Sequence, residues 1–276
     1  MQFSVRPSEL YMEFAVPGNT VRDHEYTLSG WPVRQSLCDH TQYHTLITGD
    51  IALLDSAARL RLTSALSSLL AEYFGGAARI LVCGLGNREI TADRLGYAVC
   101  SRLTLCGTLP GGRALYSFLP GVQSVTGIPT DRLVRMAAEC TEADRILAVD
   151  ALCARSAKRL STVVQLSDTG ITPGSGMSDP SMEMSSPLSS DKPDAAQPEE
   201  DPYPPEISTR TMPCPVVTAG VPTVIRTTLP DGGNTRYLVT AGNIDRTVDC
   251  WGAVLASAIL RAILRPSPGN NDTLCI

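Results

Sequence analysis

Between Asp50 and Leu70 apolar residues return at helical spacing. Ile51, Leu53, Leu54, Ala57, Leu60, Ala65, Leu66, Leu69 and Leu70 make one broad stripe. This predicts a helix that Thr48 or Asp50 caps and Gly75-Gly76 ends. ARILVCGLGN, from Ala78 to Asn87, reads as a buried strand that breaks into a glycine turn. TADRLGYAVCSRL then returns to helical spacing, with Thr91 or Asp93 near its start. A short strand is predicted over Leu115 to Leu119, and a helix over Thr130 to Cys140 with Thr130 as its cap. DRILAVDA and STVVQLSD are buried strands ending at Asp150 and Asp168, and PCPVVTAGVPTVI is a later one. The last helix spans about Ile244 to Leu264, with Val248, Trp251, Leu255, Ile259 and Ile263 on one face. Residues 1–45 keep no period and read as irregular.

Continuous Val/Ile/Leu runs alternating with helices predict an α/β domain on a mostly parallel sheet. Past Met177 the composition changes: DPSMEMSSPLSSDKPDAAQPEEDPYPPE has seven prolines and eight acids against one lysine. That is the signature of a disordered acidic insert, at about residues 178–206, rather than of a domain. The 276 residues are 43% apolar and 18% charged, enough for a sizeable core. A net charge of −5 without any Lys/Arg run argues against nucleic-acid binding. Nine cysteines with no CxxC pair suit reduced thiols. MQFSVRPSEL lacks the apolar core of a signal peptide, and Cys250 to Leu260 is eleven residues between Asp249 and Arg261, too short to span a bilayer. A soluble cytoplasmic protein with no membrane partner is expected.

In an open parallel sheet, functional groups gather beyond the carboxyl ends of the strands. Asp93, Asp150 and Asp168 stand near such ends. Two carboxyls brought together there can share a proton and act as acid and base on a water attacking an amide. Singly, each is as readily a helix cap. GLGN invites a dinucleotide reading, but Glu89 stands where the third glycine belongs. Cys38, Asp39, His40 and His44 have spacings a metal tolerates, yet a polar loop fits them better, so no metal or cofactor is expected. With no histidine after His44, a Ser-His-Asp or Cys-His site built wholly on the core is excluded. Asp168-Thr169-Gly170 spells the pepsin-type triplet, but it occurs once and in an α/β pattern. The run from Thr169 to Ser178 reads instead as a turn lining a site.

LVCGLGNREITADRLG, LPGVQSVTGIPTD, AVDALCARSAKRLSTVVQLSDTGITPGSG, CPVVTAGVPTVI and YLVTAGNIDRTVDCWGAVLASAILRAIL, in this order, resemble the germination (spore) proteases of endospore-forming bacteria. The resemblance implies a three-layer α/β/α architecture similar to that of the hydrogenase-maturation proteases, a phosphorylase/hydrolase-like fold. It implies an endopeptidase of the spore cytoplasm that degrades small acid-soluble spore proteins during germination. It also implies a self-processing zymogen and a tetramer. The family's catalytic aspartates fall on Asp93 and Asp150, and Asp168 matches a supporting one. Asn87, with the GLGN amides, is assigned to the scissile carbonyl or its oxyanion, and Arg155 to a carboxylate of the site or of the substrate. Met12-Glu13-Phe14-Ala15-Val16 offers the acidic, hydrophobic, Ala order that the family cuts. It predicts processing between Glu13 and Phe14, with 1–13 a propeptide and 14–276 a single protease domain. Two alternatives stand beside this reading: a metal-dependent maturation-type protease using Asp93 and Asp150 as ligands, and a catalytically silent scaffold.

Overall fold

The computed structural model describes residues 22–38, 41–103, 107–109, 111–174, 206–228 and 236–265. In chain order the elements are β1 (Arg22–Leu28), β2 (Trp31–Cys38), β3 (Thr41–Ile47), α1 (Ser56–Phe74), β4 (Arg79–Gly84), α2 (Leu95–Cys100), β5 (Gly107–Thr108) and β6 (Ala114–Phe118). They continue with α3 (Gln123–Thr126), α4 (Thr130–Cys140), β7 (Arg145–Ala154), β8 (Val163–Ser167), β9 (Val216–Thr228), β10 (Arg236–Thr240) and α5 (Ile244–Leu264). One sheet joins all the strands in the order β1-β2-β3-β8-β9-β7-β4-β6-β5, with β10 on β9.

The α/β class is as expected, but the sheet is mixed. Parallel pairing is confined to β9-β7-β4-β6, and every other pair is antiparallel. The difference comes mainly from the N-terminal region, which the sequence pattern left irregular and which forms β1 to β3. Ser29 and Gly30 both have left-handed φ, 52° and 84°, the two-residue turn that matches strand twist in a hairpin. β1 is exposed at nearly every position, so it shows no apolar alternation to read. β8 then pairs antiparallel with both β3 and β9.

Helices cover both faces. Residues of β4, β7 and β9 alternate between two cores: Val82, Leu147, Val149 and Val217 pack with α1, α2 and α5, while Leu81, Ile146, Ala148 and Val216 pack with Val134 and Ala138 of α4. α1 starts later than its periodicity suggests. Asp50 caps a 3-10 turn over Ile51–Leu53, and Asp55 accepts from the Ala58 N–H at 2.6 Å to cap α1 itself. Gly75 ends it as predicted. In α4 the N-cap is Pro129, and Thr130 is the first helical residue rather than the cap. α5 has the boundaries and the buried face read from its periodicity. At 21 residues it is long and apolar enough to cross a membrane, unlike the eleven-residue stretch considered above. Its buried Trp251, which donates Nε1–H to the Ser161 carbonyl at 3.4 Å, sits in the core against α1 and the sheet. Among the described residues seven cysteines are present as free thiols.

One contact fixes how β4 leaves the sheet. A Cβ on Gly84 would lie 2.4 Å from the Gly96 carbonyl oxygen, and one on Gly96 would lie 2.4 Å from both N and O of Leu85. Backbone therefore meets backbone where β4 ends and α2 begins. Gly96→Ala is expected to lower the unfolding free energy by about 3 kcal/mol, read as the shift in a urea midpoint. A loss below about 1 kcal/mol would mean that the loop gives way without strain.

Candidate active site

Beyond Gly84 the chain turns back over the end of β4. Leu85 donates its N–H to the Val149 carbonyl at 2.8 Å, which ties the loop to β7 beside Asp150. Gly86 has a φ of 94°, and a Cβ there would lie 2.0 Å from the Asp93 carbonyl oxygen and 3.0 Å from its Oδ1. Only glycine fits. A 3-10 turn over Thr91–Asp93 follows, closed by the Asp93 N–H on the Ile90 carbonyl at 2.8 Å. The Asn87 N–H then donates to Asp93 Oδ2 at 2.7 Å. The loop thus delivers Asp93, 7% exposed, to the end of the parallel strands.

Asp150 arrives differently. β7 does not stop at Asp150, as the sequence pattern suggested, but continues to Ala154, so the carboxyl stands inside the strand and is 4% exposed. Alternation puts it with Ala148 and Leu152 on the face that α4 covers. Its Oδ1 accepts the Ala151 N–H at 2.8 Å. Its partner across the β7–β9 pairing is Gly220.

The two carboxyls sense each other. Burial raises Asp93 to about 6, opposed by the Asn87 N–H. Burial raises Asp150 well above the usual carboxylate range, and the charge of Asp93 pushes it the same way. Both carboxyls are thus held above the usual range, and the pair titrates as a unit. One carboxylate beside one carboxylic acid is the state that both accepts and donates protons near neutral pH.

A cleft runs along the Gly86 turn. On one side it is lined by Asn87, Arg88, Leu119 and the exposed Tyr97 and Val125, and it continues past Gly121 and Val122 to Thr130, Asp131, Pro173 and Gly174. Pro173 and Gly174 belong to the run read as a site-lining turn.

Of the other expected residues, Asn87 bonds Asp93 directly, while Asp168 and Arg155 are placed apart from the pair. Asp168 follows β8, which runs against β9. Gln165 is level with Gly220 and hence with Asp150, so Asp168 stands three residues lower and two strands across. There Asp168 Oδ1 accepts the Gln42 N–H at 2.8 Å, extending the pairing of β3 with β8. Strand direction, which a hydrophobic run does not encode, accounts for the difference. Arg155 follows the end of β7, roughly 16 Å along the strand from Asp150, and is exposed. Asn87 serves through its main chain: its N–H is taken by Asp93, and its Oδ1 accepts from the Glu89 N–H at 3.0 Å. Glu13 and Phe14, the acidic insert up to residue 205, and Asp39 and His40 lie outside the described residues. His44 is buried on β3, its Nδ1 2.9 Å from the Tyr73 hydroxyl, and burial lowers it to about 4. No three His, Cys, Asp or Glu side chains converge as metal ligands among the described residues. Asp131 was read only as part of a helix. Its place directly after Pro129-Thr130 was the one available hint that it opens α4 beside the cleft.

A sequence model of the germination protease family matches residues 34–188, more than half of the chain and the span that carries both aspartates. The chain belongs to the germination protease family. It is 32% identical over 157 residues to the germination protease of Bacillus subtilis (strain 168) and 34% identical over 157 residues to that of Bacillus pumilus (strain SAFR-032). Each match covers 54% of this chain and 36% of the relative, so the chain spans about a third of the length of the curated relatives it matches. Among solved structures, the [NiFe] hydrogenase maturation protease HycI from Thermococcus kodakarensis KOD1 aligns with 70% of this chain and 99% of its own, at 14% identity and a TM-score of 0.36.

The raised pKa of Asp93 has a consequence for stability. A carboxyl that titrates higher folded than unfolded binds its proton more tightly in the fold. Its contribution is therefore most favourable below pH 3.8 and is lost as the pH rises through about 6. The loss amounts to about 3 kcal/mol. Asp93→Asn, which keeps an oxygen for the Asn87 N–H, is expected to become more stable relative to the parent by about that much between pH 4 and pH 7. Urea melts across this range give the difference, and a constant offset would contradict the burial assigned to Asp93.

Proposed function

We propose that this chain is an endopeptidase that hydrolyses peptide bonds with the aspartate pair Asp93 and Asp150, in the manner its family resemblance implies. The observation that carries the reading is the pair itself: two buried carboxyls of unequal acidity, one of which, Asp93, packs against the Gly86 turn that lines the cleft. Ionised Asp93 takes a proton from water as the oxygen attacks the scissile carbonyl. Protonated Asp150 gives its proton to the departing amine, and the proton gained by Asp93 returns to Asp150 before the next cycle. The Leu85 and Asn87 main-chain N–H groups are occupied within the loop, so the oxyanion draws on other donors, the Asn87 side-chain amide at the cleft among them.

The substrates proposed are small acid-soluble spore proteins, cut in the spore cytoplasm during germination. The enzyme is proposed to be made as a zymogen that removes residues 1–13 from a single domain of residues 14–276, and to act as a homo-oligomer. No nucleic-acid or membrane partner and no metal or cofactor enter the proposal.

Asp93→Asn and Asp150→Asn are each expected to lower kcat/KM on a small acid-soluble spore protein by about 10³-fold or more while the chain stays folded. The parent's rate is expected to rise with pH through about 6 as Asp93 ionises, to fall again when Asp150 loses its proton, and to ignore chelators. Full activity in either variant removes the dyad, and loss of activity with a chelator favours the metal-dependent alternative. Intact-mass spectrometry checks the processing: incubation is expected to remove residues 1–13 from the parent and leave Glu13→Gln whole. Cut substrate with an enzyme of unchanged mass would discard the site between Glu13 and Phe14.

A further inference from the structure

Asp131 is a carboxylate that the mechanism does not use. It lies in the first turn of α4, is 5% exposed, and lines the cleft with Gly86, Gly121, Gln123 and Gly174. Asp93 and Asp150 are each held by a main-chain N–H, whereas no hydrogen bond or ion pair reaches the Asp131 carboxylate from any described residue. Nor does it cap α4, whose free N–H groups receive no side-chain bond at Pro129. The field at a helix start favours a negative charge there, and the carboxylate is open to the cleft it lines rather than sealed in the core. A buried acceptor that faces a cavity instead of protein matches a group whose partner arrives with a ligand.

The surroundings define that ligand. Thr130 donates its Oγ1–H to the Gly121 carbonyl at 3.3 Å, so the start of α4 and the opposite wall are joined and Asp131 is fixed. Three glycines in the lining leave room for main chain. No Lys or Arg is among the described residues that line this part of the cleft, and Arg88 belongs to the other end. A cation brought by the occupant satisfies charge and hydrogen bonding together.

We infer that Asp131 is a specificity residue that receives a Lys or Arg side chain of the bound peptide, at a fixed number of residues from the bond cut by Asp93 and Asp150. This rests on the peptidase reading. The test uses the full chain and peptides from one cleaved protein, each position scanned as Lys against Gln. The parent is expected to prefer Lys at one position by about 10–100-fold in kcat/KM. Asp131→Asn is expected to reduce that preference to about one while cutting the Gln peptide at the parental rate. Asp131→Glu, which restores the charge, is expected to recover a preference for Lys. A parent with no basic preference, or an Asp131→Asn variant that slows Lys and Gln peptides alike, overturns the inference. If the parent cuts no peptide at all, the peptidase reading falls, and fluorescence anisotropy with the same labelled peptides decides separately. Lys-dependent binding lost in Asp131→Asn supports the role, and equal binding by parent and variant overturns it.

Discussion

The site depends on how closely two stretches of main chain approach. Gly84 against Gly96, and Gly86 against Asp93, leave no room for a side chain on any of the three glycines. If β4 ended in bulkier residues, the turn would have to lift away from α2, and Asp93 would leave the neighbourhood of Asp150. The GLGN segment is thus a spacer set to the thickness of a bare backbone. Two of its amides serve that task, Leu85 bonding β7 and Asn87 bonding Asp93.

Burial is the second ingredient, and it works against the fold. A carboxyl inside a central strand is a poor choice for stability, because leaving water favours the neutral acid. The sheet tolerates Asp150 because a proton satisfies it and because the surrounding core supplies the stability it removes. Asp93 is only partly relieved by the Asn87 N–H, so its acidity falls between that of a surface aspartate and that of its partner. Environment, acting on two identical side chains, gives them unequal acidity.

The sequence was most legible where burial is complete. β7, with nine of its ten residues buried, reads as one apolar run, and α5 shows its face every three or four residues. Asp93 and Asp150 stood out through the family resemblance of their motifs, and the fold brings both, buried, to the same end of the parallel strands. The hairpin at Ser29-Gly30 was not legible, because β1 is mostly exposed and polar, with only Tyr26 and Leu28 against the core, and only the turn dipeptide signals it. The position of Asp168 was missed for another reason: the run VVQLS looks the same whichever way it crosses the sheet. Asp131 was hidden by its ordinariness, since an aspartate in the first turn of a helix seldom does more than suit the helix field.

The bond between Ser167 and Thr218 joins residues 51 apart in the chain, at 2.7 Å, in neighbouring strands. Once such a junction exists, the chain between its two ends closes a loop whose entropic cost grows only with the logarithm of its length, about 0.6 kcal/mol for each doubling. The connection between β8 and β9 is therefore a place where the chain can lengthen or shorten at little cost to the sheet. Its first residues, which reach the cleft at Pro173 and Gly174, and its last, held by the Ile171–Ile207 bridge and the buried Met212, are bound to keep their length.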